Sequence, residues 1–169
     1  CSAVWQKNGT TSCWSDPQQR PSKPAYCPSD PHAEVIRESF DLYRGDDFDA
    51  RLAKVAAKVE GLCYQPVPGS DAVNARWTRL EDLIALARLM GFKKIGMATC
   101  IGLLDECAKL SDILRAQGFE PYSACCKAGS IDKLDLGLQE VDKVRPGTFE
   151  PACNPIAQAR IHNQEGMEM

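Results

Sequence analysis

Between Thr78 and Cys125 the apolar spacing alternates between a helical and a strand period, with a glycine at each change. Leu80, Leu83, Ile84, Ala87 and Met90 lie on one helical stripe that Gly91 ends. Thr78 and Glu81 have the spacing of a capping box, in which each side chain satisfies the other's backbone amide. Lys94 to Cys100 (KIGMATC) is short, apolar and flanked by Gly91 and Gly102, as a buried strand would be. Leu103 to Gln117 returns to the helical period, with Leu103, Cys107, Leu110 and Leu114 on one face and Gly118 after it. Phe119 to Cys125 (FEPYSAC) is the next strand candidate, and Pro121 weakens it or places it toward an edge. Helix, strand, helix, strand with short connections predicts an α/β fold, with a parallel sheet covered by helices and right-handed crossovers.

The flanks are helical on both sides. Pro31 stands at a first helical position before Ile36, Phe40 and Tyr43. Phe48, Leu52, Val55 and Val59 form a second stripe with Gly61 as its stop. After Cys126 the periodicity is lost until Asn154, a cap, and Pro155 open a last helix that Gly166 ends. Only Met167, Glu168 and Met169 follow, so the α/β part, residues 32–169, reads as cut short at its carboxyl end.

Residues 1–31 have five prolines, few aliphatics, and Cys1, Cys13 and Cys27. Such a segment cannot order itself by packing, so it is draped over the domain or tied down through its cysteines. A chain of 169 residues buries roughly 70% of its unfolded surface and needs no disulfide or metal staple. Nine cysteines in 169 residues, about 5%, fall below the roughly 8–10% of a disulfide scaffold, and an odd count leaves a thiol over. The cysteines therefore call for another reason. A formal charge of −3 argues against a nucleic-acid partner, and no apolar run reaches the roughly 18 residues of a bilayer span. Cys1 leaves open a lipid-carrying amino terminus as a minor alternative.

Open parallel sheets bind ligands beyond the carboxyl ends of their strands. Cys100 ends one strand, Cys125 and Cys126 the next, and Cys153 precedes a helix N-terminus. These thiols can converge on one edge; the competing account is that each is a small buried hydrophobe. Strand alternation points only one of Cys125 and Cys126 toward a given face. Cys107, on an apolar stripe, reads as core, and Cys63, just past a helix end, as core or ligand. Cys1, Cys13 and Cys27 have no core-forming context, so metal ligation is their better explanation. Zinc asks for four N/S ligands, and an iron–sulfur cluster for mostly cysteine. No Cys-x-x-Cys pair is present, which weakens a zinc ribbon. His32 could be a fourth ligand but reads better as a helix-start residue, and His162 reads as a surface residue. The dinucleotide, phosphate-loop, zinc-protease and serine-hydrolase motifs are all missing. Arg145, Gly147 and Thr148 could hold an anion, although an ordinary turn explains them better.

The runs WTRLEDLIALARLMGFKKIGMATCIGLLDE, YSACCKAGSIDK and KVRPGTFEPACNPIAQA resemble the prokaryotic family catalogued as domain of unknown function 1847, whose members are labelled predicted metal-binding proteins. The resemblance is close over residues 77–169 and looser over the first 31. It implies a cytoplasmic prokaryotic protein with cysteine-ligated metal. It matches Cys100, Cys126 and Cys153 to the family's cysteine-bearing motifs, and Cys13 and Cys27 to its amino-terminal cysteine segment. Two departures from the family pattern suggest missing ends. Cys1 and Cys13 are further apart than the family's first pair, and the family continues past Met169 into a strand with another cysteine, a histidine and an aspartate. Tyr64 to Ala75 looks inserted.

The reading is a cysteine-ligated metal-binding protein. An iron–sulfur cluster, for electron transfer or redox sensing with a redox partner protein, is preferred over zinc. The metal ligands would be Cys1, Cys13, Cys27, Cys100, Cys126 and Cys153, with no nucleic-acid or membrane partner. The rivals are a thiol enzyme whose nucleophile, Cys100 or Cys153, sits at a helix N-terminus, and a non-catalytic module with structural zinc.

Overall fold

A computed structural model describes residues 31–169. Cys1, Cys13 and Cys27, and the segment they occupy, lie outside the described residues. The chain divides into two compact units at Lys54/Val55.

In the first unit, α1 (Ala33–Tyr43) follows His32, whose side chain makes no capping bond. The apolar stripe of this helix is open: Ile36, Phe40 and Tyr43 are 38%, 37% and 52% exposed. Phe40 instead carries the Arg44 guanidinium over its ring at 4.6 Å. Helix α2 (Phe48–Cys63) starts where Asp47 Oδ1 accepts the Ala50 amide at 2.8 Å. It runs past the expected stop at Gly61 to Cys63. A glycine inside a helix costs only about 1 kcal/mol relative to alanine, and Cys63 Sγ bonds back to the Glu60 carbonyl at 3.1 Å.

The second unit begins within α2. The Tyr64 to Ala75 stretch, which looks inserted relative to the family, is a short antiparallel hairpin, β1 (Tyr64–Pro66) with β2 (Val73–Ala75). Arg76 N–H donates to the Cys63 carbonyl at 2.6 Å and closes its base. Helix α3 (Arg79–Met90) has the expected capping box between Thr78 and Glu81 and ends on Gly91 at φ 81°. Strand β3 (Lys94–Thr99), a single 3-10 turn (Ile101–Leu103), α4 (Leu104–Ala116) and β4 (Glu120–Cys125) follow.

β3 and β4 pair in parallel from Lys94↔Glu120 to Thr99↔Cys125. Glu120 and Cys126 donate their amides to the Lys93 and Thr99 carbonyls, so the even-numbered amides of β4 face β3. Pro121, whose N–H is missing, faces away and breaks no ladder bond. Among the described residues this parallel sheet is the pair of strands that the sequence pattern predicts.

Helices pack on both faces of the pair. Ile95 joins Ile84, Ala87, Leu114 and Phe119 in the core, with Met97 against it. Gly96, alternating to the other face, lies under α5 (Pro155–Gln164), which packs on β3 and β4. Asn154 Oδ1 caps α5 through the Ala157 amide at 3.0 Å, as expected. Residues 168 and 169 then lie along the far edge of β3: Glu168 N–H donates to the Lys94 carbonyl at 3.1 Å, and Gly96 N–H donates to Met169 O at 2.7 Å. No helix among the described residues is long and apolar enough to cross a membrane.

Candidate functional site

Three chain segments meet at the carboxyl edge of the β3–β4 pair. Cys100 leaves β3 directly and precedes the 3-10 turn that leads into α4. Cys126 is one residue beyond β4, and its amide donates to the Thr99 carbonyl at 2.8 Å, extending the ladder by one step. Its carbonyl accepts the Asn154 amide at 2.7 Å, which brings the residue after Cys153 against the strand end. Gln158 fastens the arrangement from α5. This buried side chain donates from Nε2 to the Ala124 carbonyl at 2.7 Å and to the Thr99 carbonyl at 3.2 Å, one hydrogen bond to each strand.

The thiols are unequal. Cys126 is buried, whereas Cys100 and Cys153 are exposed. The Ile101 amide donates to Cys126 Sγ at 3.4 Å and favours its thiolate. Burial, the Cys153 side chain and the nearby Cys100 thiol outweigh that amide and push the Cys126 thiol above its ordinary value. Cys125, on the opposite alternation, accepts the Lys127 amide at 3.5 Å. In the described conformation no group of three or more Cys, His, Asp or Glu side chains among the described residues has metal-ligating geometry.

Other candidates fall elsewhere. Cys107 is core, as expected, and its sulfur accepts from Thr99 Oγ1 at 3.0 Å. Cys63 is the last residue of α2 and is buried; burial and the Asp82 carboxylate raise its thiol. It borders a cleft of about 440 Å³ with Tyr64, Arg79, Asp82 and Met169, away from the strand ends. The Arg145–Thr148 stretch is a turn whose backbone donors are taken internally, Gly147 N–H by Glu140 at 2.6 Å and Arg145 N–H by Glu150 at 3.1 Å.

His162 corrects the sequence reading. Rather than lying on the surface, both its ring nitrogens are buried without a partner, and the ring meets Tyr122 edge-on at 6.1 Å. A Cβ on Gly96 would stand 2.8 Å from His162 Nδ1, so the glycine makes room for the ring. The available signal was the four-residue spacing of Gln158 and His162 on one face of α5, above a glycine in a buried strand.

Residues 27–169 match the protein family described as protein of unknown function (DUF1847), and the chain belongs to that family. It is also similar to the uncharacterized protein MJ0455 of Methanocaldococcus jannaschii, with 35% identity over 147 residues, covering 87% of this chain and 68% of the relative. No solved structure matches.

Proposed function

We propose that this member of the family binds a metal centre through Cys100, Cys126 and Cys153, with Cys1, Cys13 and Cys27 of the amino-terminal segment as further ligands. The observation that carries the reading is the meeting of three sequence-distant cysteines at the strand ends, two of them exposed. Exposed cysteines gain nothing from apolar burial, so the small-hydrophobe account fails for Cys100 and Cys153. The donor set is all sulfur, which suits an iron–sulfur cluster better than hard cations. The exposed Cys100 and Cys153 side chains can turn between rotamers toward a metal while Cys126 stays anchored by its backbone bonds. The Ile101 amide, 3.4 Å from Cys126 Sγ, is the kind of donor that tunes cluster potential.

Such a centre would serve electron transfer or redox sensing with a protein partner, in the cytoplasm of a prokaryote. Zinc is the alternative metal. Anaerobic purification followed by iron, sulfide and zinc analysis tests the proposal. Bound iron with sulfide, reduced in Cys100→Ser, Cys126→Ser and Cys153→Ser chains, is the expected result. Metal-free protein in which every thiol titrates would overturn it.

A further inference from the structure

We infer that Cys126 and Cys153 form a reversible dithiol–disulfide couple that closes the metal site when oxidised. Both cysteines are free thiols. The Cys153 side chain lies near enough to the Cys126 thiol to help raise it above its ordinary value. The backbone supports the same pairing independently: the Cys126 carbonyl holds the Asn154 amide at 2.7 Å, so the two cysteine backbones are neighbours. Adjacent backbones and neighbouring side chains are conditions a disulfide requires.

The two sulfurs divide the chemistry by access. Cys153 is exposed, directly before the capped start of α5, while Cys126 is buried behind it. With a small-molecule disulfide as oxidant, Cys153 sulfur attacks one sulfur of the reagent. The reagent's S–S bond breaks, one thiol leaves with a proton, and a mixed disulfide remains on Cys153. Cys126 sulfur then attacks Cys153 sulfur and expels the second reagent thiol with the other proton. Two protein thiols are oxidised to one disulfide, and one reagent disulfide is reduced to two thiols. Cys100 remains a thiol. The consequence for metal occupancy rests on the proposed metal site, since the oxidised chain retains one of the three edge ligands. The couple itself does not depend on it.

The experiment uses the chelator-treated, reduced chain and oxidised glutathione, followed by non-reducing trypsin digestion and mass spectrometry. The expected product links residues 116–127 to residues 144–160. It persists in Cys125→Ser and Cys100→Ser chains and is lost in Cys126→Ala and Cys153→Ser chains. The exposed Cys153 keeps the test sound if the buried Cys126 substitution unfolds the protein. Thiol reductant reverses the link. No link, or one that survives Cys153→Ser or vanishes with Cys125→Ser, overturns the couple. Zinc uptake by the reduced chain but not by the oxidised chain supports the closing of the site, and equal uptake by both overturns that part. If the link forms while the reduced chain takes up neither zinc nor iron, the couple stands and the metal reading falls.

Discussion

Replacing Gln158 by leucine removes the clamp that ties the ends of β3 and β4 to α5, while keeping side-chain size and apolar contact. Two hydrogen bonds are lost, to Ala124 O at 2.7 Å and Thr99 O at 3.2 Å. A buried hydrogen bond contributes a net ~1 kcal/mol, and stranding an acceptor costs more. The Thr99 carbonyl keeps the Cys126 amide at 2.8 Å, so it is not stranded. The expected loss is therefore about 2 kcal/mol. Urea denaturation reads this as a midpoint shift of roughly 1 M, since small proteins have slopes near 1–3 kcal/mol per M. Gln158→Glu sharpens the test. At neutral pH its carboxylate faces two carbonyl oxygens and destabilises more than leucine does. Its folded-state pKa is then raised, so the chain regains stability as pH falls through that value and the acid donates one hydrogen bond. A Gln158→Leu chain within ~0.5 kcal/mol of the parent, the range of an ordinary surface substitution, would refute the clamp.

Acid should weaken the fold below about pH 4, near the unfolded carboxylate values. Asp132, Glu140, Glu150 and Glu168 are held below their ordinary values, chiefly by the Leu134 amide, the Gly147 amide, the Lys133 ammonium and the Lys93 amide respectively. Depressed carboxylates stabilise fully above their unfolded values and lose that contribution as pH falls through the folded ones. Lys143 has the opposite sign: burial opposes its charge, but Glu140 and Asp132 at 3.1 and 3.2 Å raise it overall. Its contribution is complete below about pH 10.4 and is lost above, so thermal melts across pH should fall at both extremes; a melting temperature flat below pH 4 would contradict the acid limb. Gly96→Ala should cost roughly 1–3 kcal/mol through overpacking, because the new methyl meets His162 and Met167 at 2.8 and 3.0 Å; an unchanged denaturation midpoint would show that the ring moves freely. With a small alkylating reagent Cys100 and Cys153 should label first among the described thiols, and Cys63, Cys107 and Cys126 only on unfolding; rapid labelling of Cys107 in the native state would contradict its place in the core.

The parts of the fold visible in the sequence are those written within a few residues of one another. The Thr78–Glu81 box, Gly91 and the Asn154–Pro155 start each satisfy backbone groups locally, and the structure has all three. Gly61 misled because glycine permits a helix end without requiring one. The hairpin was hidden because three-residue strands show almost no alternation, and its pairing of Tyr64 with Ala75 depends on contact rather than on spacing. His162 was misplaced for a related reason: its burial depends on Gly96, a residue of another element, and polarity alone sends a histidine to the surface. The stripe of α1 was real as a pattern, but a pattern does not specify what covers it.

The placement of the cysteines follows from topology together with one register. Pairing Thr99 with Cys125 puts Cys100 and Cys126 at equivalent steps past the ends of two parallel strands. Consecutive residues then alternate, which separates Cys125 from Cys126 and leaves one thiol per strand at the edge. Nothing in the strands requires Cys153 to join them. It arrives because Asn154 docks its amide on the Cys126 carbonyl and because Gln158, one turn further on, bonds both strands. The same side chains that hold α5 to the sheet therefore set the distance between the exposed and the buried thiol. A substitution that loosens α5 without touching a cysteine should accordingly disturb the sulfur chemistry, so Gln158→Leu should slow formation of the Cys126–Cys153 link in folded chains as well as lower stability. Lowered stability with an unaltered linking rate would mean that the thiols are held by their own loops, and that the edge is independent of the helix beneath it.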